Sequence, residues 1–331
     1  MNEHEKDQMR VFAGRSSMAL TDKVCAHLGI ERGRARVEMF PDGETFVKVE
    51  EDVRGRDCFV VVSTCAPVND NLMELLVFVD CLRRASAKRV TAVLPYFGYA
   101  RQDRKDEGRV PITAKLVANL IVASGINRVL AVDLHAAQIQ GFFDLPVDHL
   151  TASPVLGRYF QSRRGELNDL CLVSPDVGNV KVSESFANLL SGDLAIINKR
   201  RVSGSEVTTD RIIGSVKGKT VLMVDDMIST AGTVCEASEL CYAMGAKSVI
   251  VAATHGVFAG KAIERLAKSR IQQIVVTNTI PLVQDGIDRV APIRDRLVEL
   301  CVSELLGDAI HNIHFNKSLS ALFKNGAGVK R

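Results

Sequence analysis

Residues 221–233 read VLMVDDMISTAGT, and this stretch decides the fold. The four apolar residues 221–224 predict a buried strand of the kind found in a parallel sheet that is covered on both faces. Asp225 and Asp226 follow, where we expect the strand to leave the sheet. A loop of small residues comes next, and the apolar spacing predicts a helix from Val234 onward. The stretch therefore predicts one strand–loop–helix step of an α/β fold.

The loop after the acidic pair favours phosphate binding. Small hydroxylated residues and a glycine at a strand-to-helix turn let backbone N–H groups surround a phosphate, and the helix N-terminus adds its positive dipole end. The two carboxylates can accept hydrogen bonds from sugar hydroxyls, so the predicted ligand is a phosphorylated pentose. A Walker loop is excluded because the closing Gly-Lys-Ser/Thr is missing. The predicted phosphate-binding residues are Ser229, Thr230, Ala231, Gly232 and Thr233.

Strand-like and helix-like segments alternate along the rest of the chain. Helical spacing predicts helices over 71–85 and 111–124, the second with Pro111 at its first position. Repeated β-α-β order predicts an α/β protein with two similar, doubly wound and mainly parallel sheets. The remaining predicted strands are 58–64, 90–97, 129–134, 170–174, 194–198, 249–254 and 274–278.

The chain length of 331 residues is enough for two domains of ordinary size. The predicted boundary is the polar turn at 148–153. We expect an N-terminal domain over 1–151, completed by 311–331, and a C-terminal domain over 152–310 that carries the phosphate loop.

Composition narrows the classes of function. A formal net charge of +3 is too small to indicate nucleic-acid or membrane binding. No apolar run approaches the roughly 20 residues of a membrane span, and the charged N-terminus MNEHEKDQMR has no secretory signal. The eight cysteines form no C-x-x-C pair, which favours free thiols in a reducing compartment. These features predict a soluble cytoplasmic protein.

Two further strand ends carry possible metal ligands. Asp133 and His135 lie at the end of the predicted strand 129–134, and a neutral His beside a carboxylate can serve a divalent cation such as magnesium. A hydrogen-bonded structural His explains the same pattern equally well. Asp176 follows the strand 170–174, and it is either a second metal ligand or a helix N-cap.

Cationic side chains follow two other predicted strands. Lys199 and Arg201 begin a loop of small and polar residues, which suggests a mobile lid that brings charge onto phosphates. A solvated basic turn is the alternative. Arg101 and Gln102 follow the strand 90–97, where an Arg fork suits phosphate and Gln suits a phosphate or a base edge.

The segment FPDGE at 40–44 places an aromatic ring beside two carboxylates. Phe40 can stack on a purine, while Asp42 and Glu44 can accept hydrogen bonds from its exocyclic amine. Taken alone, the segment also reads as an ordinary Asp-Gly turn.

Seven segments in order, from near residue 10 to near residue 323, resemble the ribose-phosphate pyrophosphokinase family. Its members have the fold of type I phosphoribosyltransferases. Seven ordered motifs are far more specific than any one of them alone. The segments are FPDGE (40–44), YARQDRK (99–105), PITAKL (111–116), DLHAAQIQGFFD (133–144), SPD (174–176), INKRR (197–201) and DDMISTAGT (225–233).

The resemblance implies transfer of the β,γ-diphosphoryl group of MgATP to the anomeric hydroxyl of ribose 5-phosphate. It also implies a homo-oligomer, at least a dimer and by family pattern a hexamer built from dimers, in which the adenine site is shared with a neighbouring subunit. The implied roles are 5-phosphate binding by 229–233, ribose binding by Asp225 and Asp226, adenine binding by Phe40, Asp42 and Glu44, ATP-phosphate binding by Arg101 and Gln102, Mg²⁺ binding by His135 and Asp176, and catalysis by the lid cations Lys199 and Arg201.

The chain departs from the family pattern in several places. Ser229 stands where Asp is usual, and Asn179 stands at the second glycine of the usual SPD-x-Gly-Gly. The helix that follows has less positive charge over 182–185, and 106–108 differs from the segment of phosphate-regulated members. The departures motivate one alternative to an active synthase, a weakly active or inactive regulatory subunit of a catalytic paralogue. The phosphate loop taken alone permits another, a phosphoribosyltransferase that consumes phosphoribosyl diphosphate.

Overall fold

A computed structural model describes residues 8–176, 178–200, 209–284 and 286–323. These residues form two compact units. The first comprises 8–151, 279–281 and 301–322, and the second comprises 152–278 and 282–300 within the described ranges. Both units pack helices on a mainly parallel sheet, so the predicted α/β fold class is confirmed.

The first unit is built on a parallel sheet with the strand order β1-β4-β5-β6-β7. A separate antiparallel hairpin consists of β2 (Ala35–Met39) and β3 (Thr45–Val49). The sheet strands are β1 (Met9–Ala13), β4 (Asp57–Val61), β5 (Arg89–Leu94), β6 (Arg128–Val132) and β7 (Val147–Leu150). The α-helices of this unit are Met18–Leu28, Val68–Arg84, Thr113–Ala123 and Ser303–His314, and short 3₁₀ helices cover Arg15–Ser17, Ala137–Phe142 and Ser320–Phe323.

Aliphatic strands and aromatic helix residues form the core of the first unit. All five residues of β4 are buried. Phe12 of β1 and Phe78 of the helix Val68–Arg84 lie with their ring centroids 5.6 Å apart, inside a cluster that also contains Leu75 and Ile121. The apolar face of each helix therefore covers the sheet and holds the carboxyl ends of its strands in place.

The second unit is built on a seven-stranded sheet with the order β10-β9-β8-β11-β12-β13-β16. Only the β9–β10 pair in this sheet is antiparallel within the described residues. The strands are β8 (Leu170–Ser174), β9 (Asp193–Arg200), β10 (Thr209–Ile213), β11 (Thr220–Ile228), β12 (Ser248–Gly256), β13 (Gln273–Thr277) and β16 (Leu297–Leu300), with a small hairpin of β14 (Val283–Gln284) and β15 (Ile287–Asp288). The α-helices are Ser153–Ser162, Val180–Leu190, Gly232–Ala243 and Ala262–Lys268, and 3₁₀ helices cover Arg164–Glu166 and Ala291–Arg296.

Both faces of the second sheet are covered, as the continuous apolar run of β11 predicts. Successive strand residues point to opposite faces. Val221 and Met223 pack into one cluster together with the helices Gly232–Ala243 and Ala262–Lys268. Leu222 and Val224 pack into another together with Phe160 and Phe186. A strand buried on both faces carries no polar face of its own, which explains the four apolar residues in a row.

The chain reverses its direction of travel across the second sheet between β8 and β11. From β8 it moves outward to β9 and β10, and then it returns to place β11 on the other side of β8. The later strands β12, β13 and β16 follow β11 on that side, each farther from β8. Ligands of open α/β sheets bind in the crevice outside the carboxyl ends of the two strands that flank such a reversal. The residues after β8 and along the end of β11 therefore border the expected ligand-binding crevice.

Several predicted boundaries were wrong by a few residues, and three of them lie beside candidate site residues. The strand predicted over 221–224 continues to Ile228, because β12 keeps pairing with it. The helix predicted to begin at Val234 begins at Gly232. The helix predicted to begin at Pro111 begins at Thr113, since the Ala114 N–H bonds to the Gln102 carbonyl in the preceding loop and Ile112 is not helical.

A buried ion network joins the C-terminal helix of the first unit to its sheet. Arg89 Nε donates to Asp57 Oδ1 at 2.8 Å, and His314 Nδ1 lies 2.8 Å from Asp57 Oδ2. Arg89 also donates to the Ile313 carbonyl. Burial alone raises the pKa of the Asp57 carboxyl, but the hydrogen bonds from Arg89 and His314 outweigh it and hold the pKa below its usual value. This carboxylate therefore stabilises the fold in its charged form.

We expect Asp57→Asn to lower the free energy of unfolding by about 2 kcal/mol at pH 7, because it leaves the partly buried Arg89 guanidinium without its counter-charge. The depressed pKa means that the stabilisation is present at neutral pH and is lost as the pH falls through the folded-state pKa. Urea unfolding at pH 7, followed by circular dichroism, measures the loss. The control is Asp80→Asn, which breaks an exposed pair with Arg84 and leaves stability unchanged. Equal effects of the two substitutions would contradict this role of Asp57.

Candidate functional site

The ladder between β8 and β11 opens before β11 ends. β11 pairs with β8 only over Thr220–Leu222, whereas it pairs with β12 as far as Ile228. Asp225 and Asp226 lie in this extension, which has a neighbouring strand on one side only. The predicted acidic pair therefore lines the open side of the strand at the point of chain reversal, although it lies within the strand rather than after it.

The two carboxylates share one small region and affect each other. The backbone N–H of Asp226 donates to Asp225 Oδ1 at 2.9 Å. Burial, and then the charge of Asp226, raise the pKa of Asp225 to about 7. Carboxylates held in this way accept hydrogen bonds, and a ligand that donates from adjacent hydroxyl groups compensates for the cost of burying them.

The predicted phosphate loop forms the start of a helix. Ala231 adopts a left-handed conformation with φ 59°, which is uncommon for a residue with a side chain. Gly232 is the first helical residue, and the Cys235 N–H makes the first turn's bond to the Ala231 carbonyl. The earlier amides, of Gly232, Thr233 and Val234, have no partner within the helix by its geometry and point out of its N-terminus. Such amides, with the helix dipole behind them, suit a phosphate.

Sequence reasoning missed the residues that hold this loop from outside. The Ala259 N–H donates to the Ser229 carbonyl at 2.9 Å, and Arg265 Nη1 donates to the Thr230 carbonyl at 2.8 Å. Arg265 thereby places a positive charge beside the loop. Its helix, Ala262–Lys268, reads in the sequence as an ordinary solvated surface helix, so no sequence signal marks this contact.

Asp176 and Asn179 approach the acidic pair from the end of β8. Asp176 is exposed, and its Oδ1 accepts the Asn179 backbone N–H at 3.0 Å. The N-cap position of the following helix is Asn179, whereas the Asp176 carboxylate accepts an amide just before that helix. Both alternatives for Asp176, metal ligand and capping residue, stay predictions. Asn179 Nδ2 donates to the Val224 carbonyl at 2.6 Å and to Asp225 Oδ1 at 3.3 Å. The structure thus brings Asp176 and Asp225 together through one asparagine.

The predicted phosphate ligands of the first unit also meet. Arg101, Gln102 and His135 line one cavity of about 440 Å³ beyond the carboxyl ends of β5 and β6, together with Arg104 and Gln138. Thr113 Oγ1 donates to Gln102 Oε1 at 2.5 Å, which fixes the orientation of that side-chain amide. The lining is mostly polar and combines the guanidinium groups of Arg101 and Arg104 with the carboxylates of Asp103 and Asp106. The two guanidinium groups can bind an anionic group.

The FPDGE segment forms the tip of the β2–β3 hairpin. The Phe40 N–H donates to the Glu44 carbonyl at 2.7 Å, and Asp42 Oδ1 accepts the Glu44 N–H at 3.1 Å. Gly43 takes a positive φ that the turn requires. Phe40 remains 49% exposed, although its ring touches that of Phe46. The hairpin is therefore a defined turn that presents an aromatic ring at the surface.

Of the two predicted lid cations, Lys199 and Arg201, only Lys199 is among the described residues. Lys199 is in β9, where its backbone pairs with Asp210 of β10. Arg201 lies outside the described residues. The role of both as lid cations stays a prediction.

Over the described ranges, no group of three or more His, Cys, Asp or Glu side chains forms a metal cluster. His135 belongs to the first unit and Asp176 to the second. None of the eight cysteines is in a disulfide, as predicted. No described helix has both the length and the apolar character needed to cross a membrane.

Comparisons with known proteins identify the family. The family model for the N-terminal domain of ribose phosphate pyrophosphokinase matches residues 9–125, and that for the phosphoribosyl synthetase-associated domain matches 205–324. A ribose-phosphate pyrophosphokinase of Rhodopirellula baltica is 54% identical over 318 residues, or 96% of this chain and 99% of the relative. One from Gloeobacter violaceus is 49% identical, over 96% of this chain and 94% of the relative.

A solved structure agrees with these relatives. The crystal structure of phosphoribosylpyrophosphate synthetase from Mycobacterium smegmatis has a TM-score of 0.85 and 43% sequence identity. The similarity covers 93% of this chain and 99% of that one.

The raised pKa of Asp225 predicts that its carboxylate destabilises the folded protein, and that this destabilisation depends on pH. Because the folded-state pKa lies above the unfolded value of about 4, stability contributed by Asp225 falls as the pH rises from about 4 to about 7. Asp225→Asn keeps the acceptor oxygen and removes the charge, so we expect the variant to melt higher than wild type at pH 8. Thermal unfolding at pH 8 and pH 4 without ligand measures this. An advantage that is larger at pH 4 would contradict it.

Proposed function

Because the chain belongs to the ribose-phosphate pyrophosphokinase family, we propose that the crevice between β8 and β11 binds ribose 5-phosphate. The reaction transfers the β,γ-diphosphoryl group of ATP to the anomeric hydroxyl of ribose 5-phosphate, giving 5-phosphoribosyl 1-diphosphate and AMP. The observation that carries the assignment of the crevice is the open ladder, which puts an acidic pair and a helix N-terminus on one short stretch of chain.

The charges of the crevice match the two ends of ribose 5-phosphate. The amides of 229–233 offer hydrogen-bond donors and a positive dipole end to the 5-phosphate, and the Arg265 guanidinium adds charge beside them. Asp225 and Asp226 accept hydrogen bonds from the ribose hydroxyls. Ser229 replaces the carboxylate usual in the family, but a hydroxyl is also compatible with a phosphate-binding loop. The crevice therefore orients the sugar by its opposite ends.

ATP is proposed to bind through the first unit. Arg101 and Gln102 hold its phosphates in the cavity that they share with His135. Phe40, Asp42 and Glu44 hold the adenine from a neighbouring subunit, which the exposed ring at the hairpin tip supports. The protein is then at least a dimer, because each site needs a hairpin from another chain. The family pattern extends this proposal to a hexamer built from dimers.

Magnesium is proposed as the cofactor. Asp176 would supply an exposed carboxylate from the second unit and His135 a ring nitrogen from the first. Magnesium needs only one or two protein carboxylates, because water and substrate phosphates complete its ligands. When bound, Mg²⁺ neutralises charge on the phosphate oxygens.

Catalysis rests on positioning and charge. The anomeric hydroxyl attacks the β-phosphorus of ATP, and AMP leaves. Lys199 and Arg201 are proposed to stabilise the negative charge that builds up on the transferred group. No activated nucleophile is required, because holding two substrates in line supplies a large part of the rate.

The regulatory-subunit alternative is not favoured, since full-length relatives at about half identity carry the enzyme's name. The phosphoribosyltransferase alternative leaves the N-terminal pyrophosphokinase domain at 9–125 unexplained. A cytoplasmic location is proposed on the basis of the free cysteines, which fit a reducing compartment.

We expect Asp225→Ala to raise the KM for ribose 5-phosphate by at least about tenfold, because it removes hydrogen bonds to a charged acceptor. The KM for MgATP is expected to change by less than about threefold, since ATP is assigned to other residues. Steady-state kinetics with each substrate varied in turn measures both. Equal increases in the two constants would mean that the acidic pair does not face the sugar.

Lys199→Ala is expected to lower kcat by about a hundredfold to a thousandfold with no change in melting temperature, because a lid cation acts mainly in the transition state. Single-turnover kinetics with both substrates saturating measures the step. Wild-type turnover in this variant would remove Lys199 from the mechanism.

If the adenine site is shared between two chains, two inactive variants with different substitutions should regain activity when they assemble together. Co-expressed Phe40→Ala and Lys199→Ala chains form hybrid dimers with one intact and one doubly damaged site. We expect about a quarter of wild-type activity, because half of random dimers are hybrids and each has one intact site of two. Asp225→Ala mixed with Lys199→Ala is the control, since both changes affect the same chain's site and no recovery is expected. Failure of the first mixture to exceed its parents would contradict a shared adenine site.

A further inference from the structure

Asn179 occupies the gap that opens when β8 and β11 separate. The ladder between these strands ends at the pair Leu222–Leu172, and β8 itself ends at Ser174. The Val224 carbonyl, two residues farther along β11, receives the side-chain N–H of Asn179 at 2.6 Å. An amide side chain thus replaces the strand neighbour that β8 no longer supplies, and it satisfies a backbone acceptor that would otherwise be costly to leave unpaired.

The same amide group reaches the carboxylate of Asp225. Asn179 Nδ2 lies 3.3 Å from Asp225 Oδ1, which also accepts the backbone N–H of Asp226. Both neighbours of the amide nitrogen are acceptors, so the amide has only one orientation that donates to them. One oxygen of Asp225 is therefore held from two directions, and the rotation of the carboxylate is restricted.

The backbone of Asn179 makes a third link. Its N–H donates to Asp176 Oδ1 at 3.0 Å. Asparagine at an N-cap commonly folds its side chain back onto its own helix, but within the described chain the Asn179 side chain does not cap Val180–Leu190. Its polar atoms are instead used between the end of β8 and the acidic pair of β11.

We infer that Asn179 is a positioning residue that sets the Asp225 carboxylate for the ribose hydroxyls and ties it to the loop of Asp176. The inference rests on the proposed binding of ribose 5-phosphate by Asp225. Asn179 does not touch the reacting atoms in this account. It acts through Asp225, so its loss affects the binding of one substrate and not of the other.

Three single variants of the full-length enzyme test the inference. Asn179→Ala is expected to raise the KM for ribose 5-phosphate by about tenfold, the scale of one hydrogen bond to a charged group, with the KM for MgATP unchanged. Asn179→Asp keeps the side-chain volume but directs an acceptor at two acceptors, so a larger increase is expected. Asn188→Ala makes the same change at an exposed position of the same helix and leaves both constants unchanged. Melting temperatures show whether each variant is folded.

A double-mutant cycle separates this inference from the proposed site. In an Asp225→Ala background, Asn179→Ala is expected to have little further effect on the KM for ribose 5-phosphate, because the residue it positions is gone. Effects that multiply, equal increases in both KM values, or an unchanged KM in Asn179→Ala would each overturn the role of Asn179. An unchanged KM in Asp225→Ala alone would overturn the assignment of the sugar to the crevice, and this inference with it. Because Asn179→Asp preserves packing, it decides the question if Asn179→Ala does not fold.

Discussion

The separation of β8 from β11 is the constraint on which the rest of the second unit depends. The chain reverses its direction across the sheet between these strands, so two loops diverge from one point instead of stacking along one edge. β11 continues against β12 alone as far as Ile228 and carries Asp225 and Asp226 past the last pair with β8. The space that results is bordered by backbone amides on one side and carboxylates on the other. A ligand uses both borders only if it offers an anionic group to the amides and hydrogen-bond donors to the carboxylates.

The crevice holds groups that destabilise the folded protein when no ligand is bound. Two adjacent carboxylates repel each other, partial burial raises the pKa of one of them, and Ala231 adopts a backbone conformation that usually belongs to glycine. Strain and buried charge of this kind persist where the surrounding structure enforces them and where a ligand uses them. Apolar clusters on both faces of the sheet supply that enforcement. Packing of these apolar clusters thus offsets the unfavourable free energy of the acidic pair and of the Ala231 backbone.

Local patterns predicted much of this architecture, and long-range contacts account for what they missed. The apolar runs located every strand from β8 to β13 except β10, and the small residues at 229–233 located the helix N-terminus. The acidic pair was placed after the strand, because the length of β11 depends on β12, which lies more than 20 residues later. Asn179 was noted as a departure from the family pattern, yet its bond to Asp225 joins residues 46 positions apart. The sequence did not predict the role of Arg265, since that role depends on its contact with the Thr230 carbonyl, 35 positions away.

This chain is proposed to be an active ribose-phosphate pyrophosphokinase that tolerates Ser229 and Asn179, the two departures from the family pattern in its crevice. Phosphorus NMR of the purified protein with ribose 5-phosphate and MgATP tests it most directly, because one spectrum resolves ATP, AMP and the diphosphate on the anomeric carbon. We predict that AMP and 5-phosphoribosyl 1-diphosphate appear in equal amounts as ATP disappears. ATP that stays intact, while ribose 5-phosphate is still shown to bind, would contradict the claim and favour a regulatory subunit.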